Sequence, residues 1–348
     1  MGPLRLRARR ETEEDFEGKR ARMEGTSRHR TEPQTSIHGS GGVSRREFLR
    51  LSGLTAFSVA GVGFLAACGP ASQGTSSGSD GSDSGGSGSE VLGDGKTMRV
   101  GMEAAYAPYN WQATESSDTT IPIQNVDGAY ADGYDVQIAK KIADALNMEP
   151  VAVKMSFSGL IDALNNGQID IICAGMSATD ERKQSVDFSD AYAMAQLAIL
   201  ANADSGVASI DDLNQPGKKV AVKTGSTGDV YATKNLTNAE IVRLADESAC
   251  VTEVVQGKAD GFLYDQLTIY RNHQANPDTT EAVFIPFQDA EEWGIAVKKG
   301  DTELLDQLNA FIAQSKTDGE FDRLTEKYLA DEKKAFDQYG FKWFFDFE

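Results

Sequence analysis

From residue 98 onward, short apolar runs alternate with amphipathic segments, and this alternation restricts the possible folds more than any other feature of the chain. Residues 98–102 read as a strand. Residues 135–146 read as a helix, with Val136, Ala139, Ile142, Ala143 and Leu146 at helical spacing behind Asp135. A strand over 150–155, a helix over 159–166 and a strand over 170–174 follow. The pattern restarts after Tyr192, with strands at 219–223, 240–244 and 261–264 and helices at 227–235, 248–256 and from Gln266. A last block holds a strand over 293–297 and helices over 302–315 and 321–329. Strand–helix alternation at this spacing predicts an α/β fold with largely parallel sheets, here divided into two lobes.

The region before this body has a different composition. Residues 1–67 carry 12 Lys/Arg and 8 Asp/Glu, whereas the whole chain of 348 residues has a formal charge of −19. The rest is therefore near −23, which makes it a poor candidate for binding nucleic acid because phosphate contacts need clustered Lys and Arg. Ser44-Arg45-Arg46-Glu47-Phe48-Leu49 precedes a Gly- and Ala-rich apolar run over 51–67. That run is shorter than the ~20 residues a spanning helix needs, and paired arginines before it resemble a twin-arginine export signal. The run ends Leu65-Ala66-Ala67-Cys68-Gly69, which resembles a bacterial lipobox with Cys68 as the lipid-bearing residue. Translation can start at Met1 or Met23. Residues 68–96 form a Gly/Ser/Asp-rich tract that has little to bury and reads as a flexible tether. The expected location is the outer face of the cell membrane, held by the lipid.

Cysteine and histidine usage removes several chemistries. Cys68, Cys173 and Cys250 give no CxxC pair and no disulfide framework, and Cys173 and Cys250 read as small buried hydrophobes. Of His29, His38 and His273, the first two precede Cys68, so neither a multi-histidine metal site nor a Ser/His nucleophile is expected. No metal and no cofactor is expected.

In open α/β sheets, ligands bind beyond the carboxyl ends of the strands, where N–H groups at helix starts point outward. That places Glu103, Tyr106 and Tyr109 after the first strand, and 174–182 after the third. In the second lobe it places Gly225-Ser226-Thr227-Gly228 and Asp265. Within the segment CAGMSATDERKQ, Cys173 to Gln184, a helix is expected to begin near Thr179. Arg182 would then oppose the positive end of that helix's dipole, unless an anion offsets it. The glycine-containing turn at 225–228 lacks the Gly-Lys-Ser/Thr ending of a phosphate-binding P-loop.

Several stretches, in order, carry a resemblance. They are Arg99-Val100-Gly101-Met102-Glu103 with Tyr106-Ala107-Pro108-Tyr109, Gly133-Tyr134-Asp135-Val136, and Phe157-Ser158-Gly159-Leu160-Ile161. The run from Asp170 to Arg182, Asp187-Phe188-Ser189, Gly225-Ser226-Thr227 and Gly257-Lys258-Ala259-Asp260 complete the set. Together, over 98–329, they resemble the amino-acid-binding family 3 solute-binding proteins of bacterial ABC importers, with the type 2 periplasmic-binding-protein fold. The resemblance implies two α/β lobes joined by a hinge: 97–196 and 289–331 as lobe 1, 197–288 as lobe 2. An aromatic tail over 332–348 would pack on a lobe or a partner. Hinge crossings are expected near 196–198 and 289–292.

The resemblance also assigns roles. Arg182 would grip an α-carboxylate, shared with Ser177, the N–H groups of its loop (Ala174, Gly175) and Thr227, and Ser226 would also belong to the ligand site. Asp265 would hold the α-ammonium, and Tyr106 and Phe157 would pack on the ligand. Where relatives for basic amino acids often carry hydroxyls, this chain has Ala174 and Gly175, which leaves Glu103 as the main charged selector and suggests a basic or polar side chain. The insertion over 113–125 adjoins this pocket in sequence. Each residue also has a plainer role: Arg182 paired with Asp180 or Asp187, Thr227 or Asp265 as a helix cap, Tyr106 and Phe157 in the core. The implied function is capture of a free amino acid and delivery to an ABC permease by a monomeric, membrane-anchored protein that is not an enzyme. Two alternatives on the same fold remain, a dehydratase acting on a prephenate- or arogenate-like acid with Glu103 as acid/base, and a ligand-sensing module.

Overall fold

The computed structural model describes residues 95–339, with side chains through Lys334. The leader, its signal, Cys68, most of the tether and residues 340–348 lie outside the described residues.

The chain enters through β1 (Thr97–Met102), whose Met98, Val100 and Met102 are fully buried. A small antiparallel sheet follows, of β2 (Ala105–Tyr106), β3 (Asn110–Ala113), β4 (Ile121–Pro122) and β5 (Tyr130–Asp132). Next come α1 (Tyr134–Ala145), β6 (Glu149–Lys154), α2 (Leu160–Asn165), β7 (Ile171–Ile172) and β8 (Val186–Phe188). The helical spacing noted over 135–146 is the buried face of α1, with Val136, Ala139, Ile142 and Ala143 at 0–1% exposure. Removing each large side chain of this kind from water stabilises the fold by ~1.5–3 kcal/mol.

After β9 (Ala193–Ala195) the chain builds a second sheet. Its elements are β10 (Leu197–Asn202), α3 (Ile210–Leu213), β11 (Lys219–Lys223), α4 (Thr227–Asn235), β12 (Glu240–Leu244), α5 (Glu247–Val255), β13 (Gly261–Asp265), α6 (Gln266–Ala275) and β14 (Thr280–Val283). It returns through β15 (Glu291–Trp293) to β16 (Ala296–Lys298), and α7 (Thr302–Thr317), α8 (Glu320–Tyr328) and α9 (Ala330–Tyr339) follow.

The result is a two-lobed α/β fold. One lobe holds the sheet β6-β1-β7-β16-β8, the other β12-β11-β13-β10-β14. The βαβ strands pair in parallel, as β1 does with β6 and β7, and β11 with β12 and β13. The sheets are nonetheless mixed rather than largely parallel. β16 runs antiparallel to β7 and β8, and β10 antiparallel to β13 and β14. Both β10 and β16 continue directly from a crossing strand, so they enter their sheets against the direction of the βαβ strands. The crossing strands pair with each other: Glu291 with Ala195, Glu292 with Met194 and Trp293 with Ala193. The single strand expected over 293–297 is in fact β15 and β16, interrupted at Gly294 and Ile295.

The helix expected near Thr179 does not form. Arg182–Gln184 make one 3-10 turn, and so short a turn has little macrodipole for Arg182 to oppose.

Candidate functional site

The carboxyl ends of four parallel strands meet at the cleft between the sheets. β1 ends before Glu103, β7 before the loop with Gly175 and Ser177, β11 at Lys223 and β13 at Asp265. A cavity there is lined by Tyr106, Phe157, Gly175, Ser177, Arg182, Ser226, Thr227 and Asp265, together with Gln196, Tyr264, Glu291 and Trp293. Eight of the ten candidate ligand residues therefore share one space. Glu103 and Ala174 are buried outside that lining, and no residue of 113–125 belongs to it.

Arg182 is one of the lining residues. Its Nη1 donates to the Ser177 carbonyl at 2.8 Å and its Nη2 to the Gly225 carbonyl of the other lobe at 3.0 Å. The guanidinium carbon lies 5.3 Å from the Phe157 ring centroid, within cation–π range. Burial lowers the Arg182 pKa, and the Glu291 carboxylate opposes that shift. No contact joins Arg182 to Asp187, which instead binds Lys299 and the Gly300 amide. Beside it, Ser226 caps α4 by accepting from the Asp229 amide at 3.2 Å, which makes Thr227 the first helical residue rather than the cap. The start of α4 is brought to the cavity by Gly228, where an added Cβ would lie 2.4 Å from the Leu263 carbonyl oxygen.

Asp265 lines the same cavity and is 5% exposed. One carboxylate oxygen accepts from the Tyr106 hydroxyl across the cleft at 2.6 Å, and the other caps α6 by accepting from the Thr268 amide at 3.0 Å. It is thus both a cap and a cavity residue. Burial raises its pKa, and the bonds from Tyr106 and Thr268 lower it. The floor is aromatic: Tyr106 contacts Tyr109, Tyr264 and Trp293 at centroid distances of 4.8, 5.7 and 6.2 Å.

Behind this floor lies an ion pair that sequence reasoning missed. The Lys223 ammonium is bonded to the Glu103 carboxylate of the opposite lobe, with side-chain exposures of 1% and 9%. The ammonium also reaches the Tyr264 hydroxyl at 3.3 Å and lies 5.2–5.6 Å from the rings of Phe157, Tyr106 and Tyr264. It fills an aromatic box, where desolvation strengthens cation–π attraction.

A buried network sets the Gly175 loop. Tyr192 Oη accepts from the Gly175 amide at 3.0 Å and donates to Asp135, whose other oxygen accepts from Asn110; Asn110 in turn accepts from the Ala104 amide. Gly175 itself has φ +60°, and a Cβ there would lie 2.9 Å from Tyr106 Cε1. Among the described residues no group of three or more His, Cys, Asp or Glu side chains is placed to hold a metal ion.

A guanidinium, hydroxyls, a carboxylate and aromatic rings gathered around one cavity suit a small zwitterion. Comparison with known proteins agrees with this chemistry. A family model for bacterial extracellular solute-binding proteins, family 3, matches residues 98–331. A probable histidine-binding protein of Neisseria gonorrhoeae is 34% identical over 68% of this chain and 85% of that protein. The ABC transporter glutamine-binding protein GlnH of Bacillus subtilis is 32% identical over 60% of this chain and 77% of its own length. Among solved structures, an ancestral arginine-binding protein bound to glutamine is 33% identical with a TM-score of 0.58, covering 67% of this chain and 97% of that one.

Proposed function

The chain belongs to the bacterial extracellular solute-binding proteins, family 3, and from that premise we propose that it is the capture subunit of an amino-acid ABC importer. One observation carries the reading: Arg182 with Ser177 and Asp265 with Tyr106 line one cavity, and the contacts come from both lobes. A free amino acid has a carboxylate and an ammonium to match these two pairs. Because only the closed arrangement lets both lobes hold one ligand, ligand binding favours closure by its differential affinity for the two forms. The crossing ladder Ala193–Ala195 with Glu291–Trp293 is the hinge on this reading. The permease recognises the closed form, and the protein captures without catalysing.

The buried ion pair moves the ligand preference within the basic-or-polar range. Glu103 was the residue expected to attract a cationic side chain, but its charge is balanced by Lys223. Adding a ligand cation would leave a buried positive charge unmatched, which costs several kcal/mol, about 3–5 for a broken buried pair. A neutral polar side chain adds no charge beside this balanced pair, which lies outside the cavity lining. We assign a glutamine-like ligand on that ground; one relative named for glutamine, and an arginine-binding protein solved with glutamine bound, are consistent with it.

The lipobox at Cys68 and the arginine pair at 45–46 support export and lipid anchoring at the outer face of the membrane. A single acyl chain gives marginal binding, so a stable anchor carries more than one. Calorimetry with the twenty amino acids tests the capture reading, and the absence of binding by every one would end it. Fractionation of Cys68→Ala tests the anchor: the variant should leave the membrane fraction.

A further inference from the structure

Glu291 has no role in the reading so far, yet it lines the cavity and the groove outside it, where Arg182 and Thr227 also lie. It belongs to β15, the crossing strand, and pairs there with Ala195. One carboxylate oxygen accepts from Ser177 Oγ at 2.6 Å and the other from Gln288 Nε2 at 2.6 Å. Among the charged groups acting on Arg182, its carboxylate is the strongest. An acid in this place is unexpected, because it stands beside the arginine and hydroxyl donors that would hold a carboxylate.

A serine hydroxyl has one proton to donate. While Ser177 gives that proton to Glu291, it cannot give it to a second carboxylate. We propose that Glu291 is a ligand-exchange residue: its carboxylate occupies the Ser177 hydroxyl, an amino acid's carboxylate takes that donor from it, and the released Glu291 carries the change into the crossing strand. This rests on the capture function proposed above. Arg182 is not contested in the same way, because its guanidinium has five donors and the two carbonyl contacts leave others over. Ser177 is the contested donor. Two carboxylates side by side also repel, so Glu291 weakens the grip on an anionic ligand group and eases its release. Its backbone position on the ladder means that the displaced side chain and the joint between the lobes are one segment.

The test uses the full-length chain and the amino acid that the wild type binds most tightly among the twenty, with affinity measured by calorimetry. Glu291→Gln keeps the shape and removes the charge; Glu291→Ala frees Ser177 altogether. Both should tighten binding about tenfold, equivalent to ~1.4 kcal/mol. In a Ser177→Ala background most of that gain should vanish, since there is no hydroxyl left to free. A residue that merely supports the ladder would show neither the gain nor its dependence on Ser177. Unchanged or weaker binding in both variants, with the wild type binding normally, overturns the exchange alone. So does a gain of equal size in the Ser177→Ala background. A wild type that binds none of the twenty removes the capture function itself.

Discussion

Lys223, the last residue of one sheet's strand, and Glu103, just beyond a strand of the other, form an ion pair that water barely reaches. Removing one member of such a pair is far more costly than removing both. Lys223→Met should therefore lose ~3 kcal/mol of unfolding free energy. The double variant with Glu103→Leu should return to within ~1 kcal/mol of the wild type. Denaturant titration of the four chains in this cycle decides it, and a single variant no worse than the double would contradict the account. The same substitution should shift ligand preference toward arginine and lysine, because Glu103 is then the unmatched charge.

Arg182 holds two carbonyls with a planar fork and has further donors for a carboxylate. Arg182→Ala should weaken amino-acid binding about 100-fold, ~2.7 kcal/mol. Arg182→Lys keeps the charge but not the fork, so it should recover little of that loss. Binding within a factor of three of wild type in Arg182→Ala would remove Arg182 from the ligand's contacts, and the same result in Arg182→Lys would mean that charge without the fork suffices.

Asp135 supplies a pH prediction. It is fully buried, and burial pushes its pKa up to about 6 despite the hydrogen bonds from Asn110 and Tyr192. An acid whose folded pKa lies above its unfolded value keeps its proton longer in the folded state. Between about pH 4 and pH 6 the native protein thus binds the extra proton, and stability falls as pH rises through this window. The shift corresponds to roughly 2–3 kcal/mol at most. Asp135→Asn should gain stability relative to wild type as pH rises from 4 to 6, read from denaturant midpoints at each pH. Glu247, raised to about 7 first by burial and then by Asp265, has the same sign and extends the window upward. A constant difference between the two chains across pH 4–6 would show that Asp135 does not titrate there.

The elements with strong periodicity were legible before any coordinates. α1 and the strand–helix succession of both lobes fall within a few residues of their expected bounds, because amphipathic spacing is a local property. The rule that ligands collect beyond strand ends found Asp265 on β13, and applied equally to Lys223 on the adjacent β11, where the residue reads as the charged end of an apolar strand. Its significance depends on Glu103, 120 residues away in sequence, so no local pattern reveals it. Glu291 and Trp293 escaped for a related reason. They belong to a three-residue strand that exists only through its pairing with 193–195, and three residues carry no usable period. The helix expected at Thr179 is cut to a single turn over Arg182–Gln184, and just upstream the Ala178 N–H is taken by the Glu292 carbonyl of the crossing strand.

Gly175 is one of the two positions where the resemblance read from sequence implies hydroxyls in relatives for basic amino acids, which invites a test with serine. The backbone argues against one here. Gly175 is left-handed at φ +60°, a conformation that costs an ordinary residue ~1–2 kcal/mol. Its missing Cβ makes room for Tyr106, 2.9 Å from where that atom would lie, and for Trp293 at 3.2 Å. Tyr106 is no idle neighbour, since its hydroxyl holds Asp265 across the cleft. Gly175→Ser should therefore lower unfolding free energy by ~1–3 kcal/mol. It should also weaken ligand binding by moving the Tyr106 ring away from Asp265. Gly175→Ala separates the two contributions: if the Cβ is responsible, alanine and serine behave alike in both the melting experiment and calorimetry. A serine variant that melts with the wild type and binds more tightly would mean that the loop relaxes and the hydroxyl joins the ligand, against the packing argued from Tyr106 and Trp293.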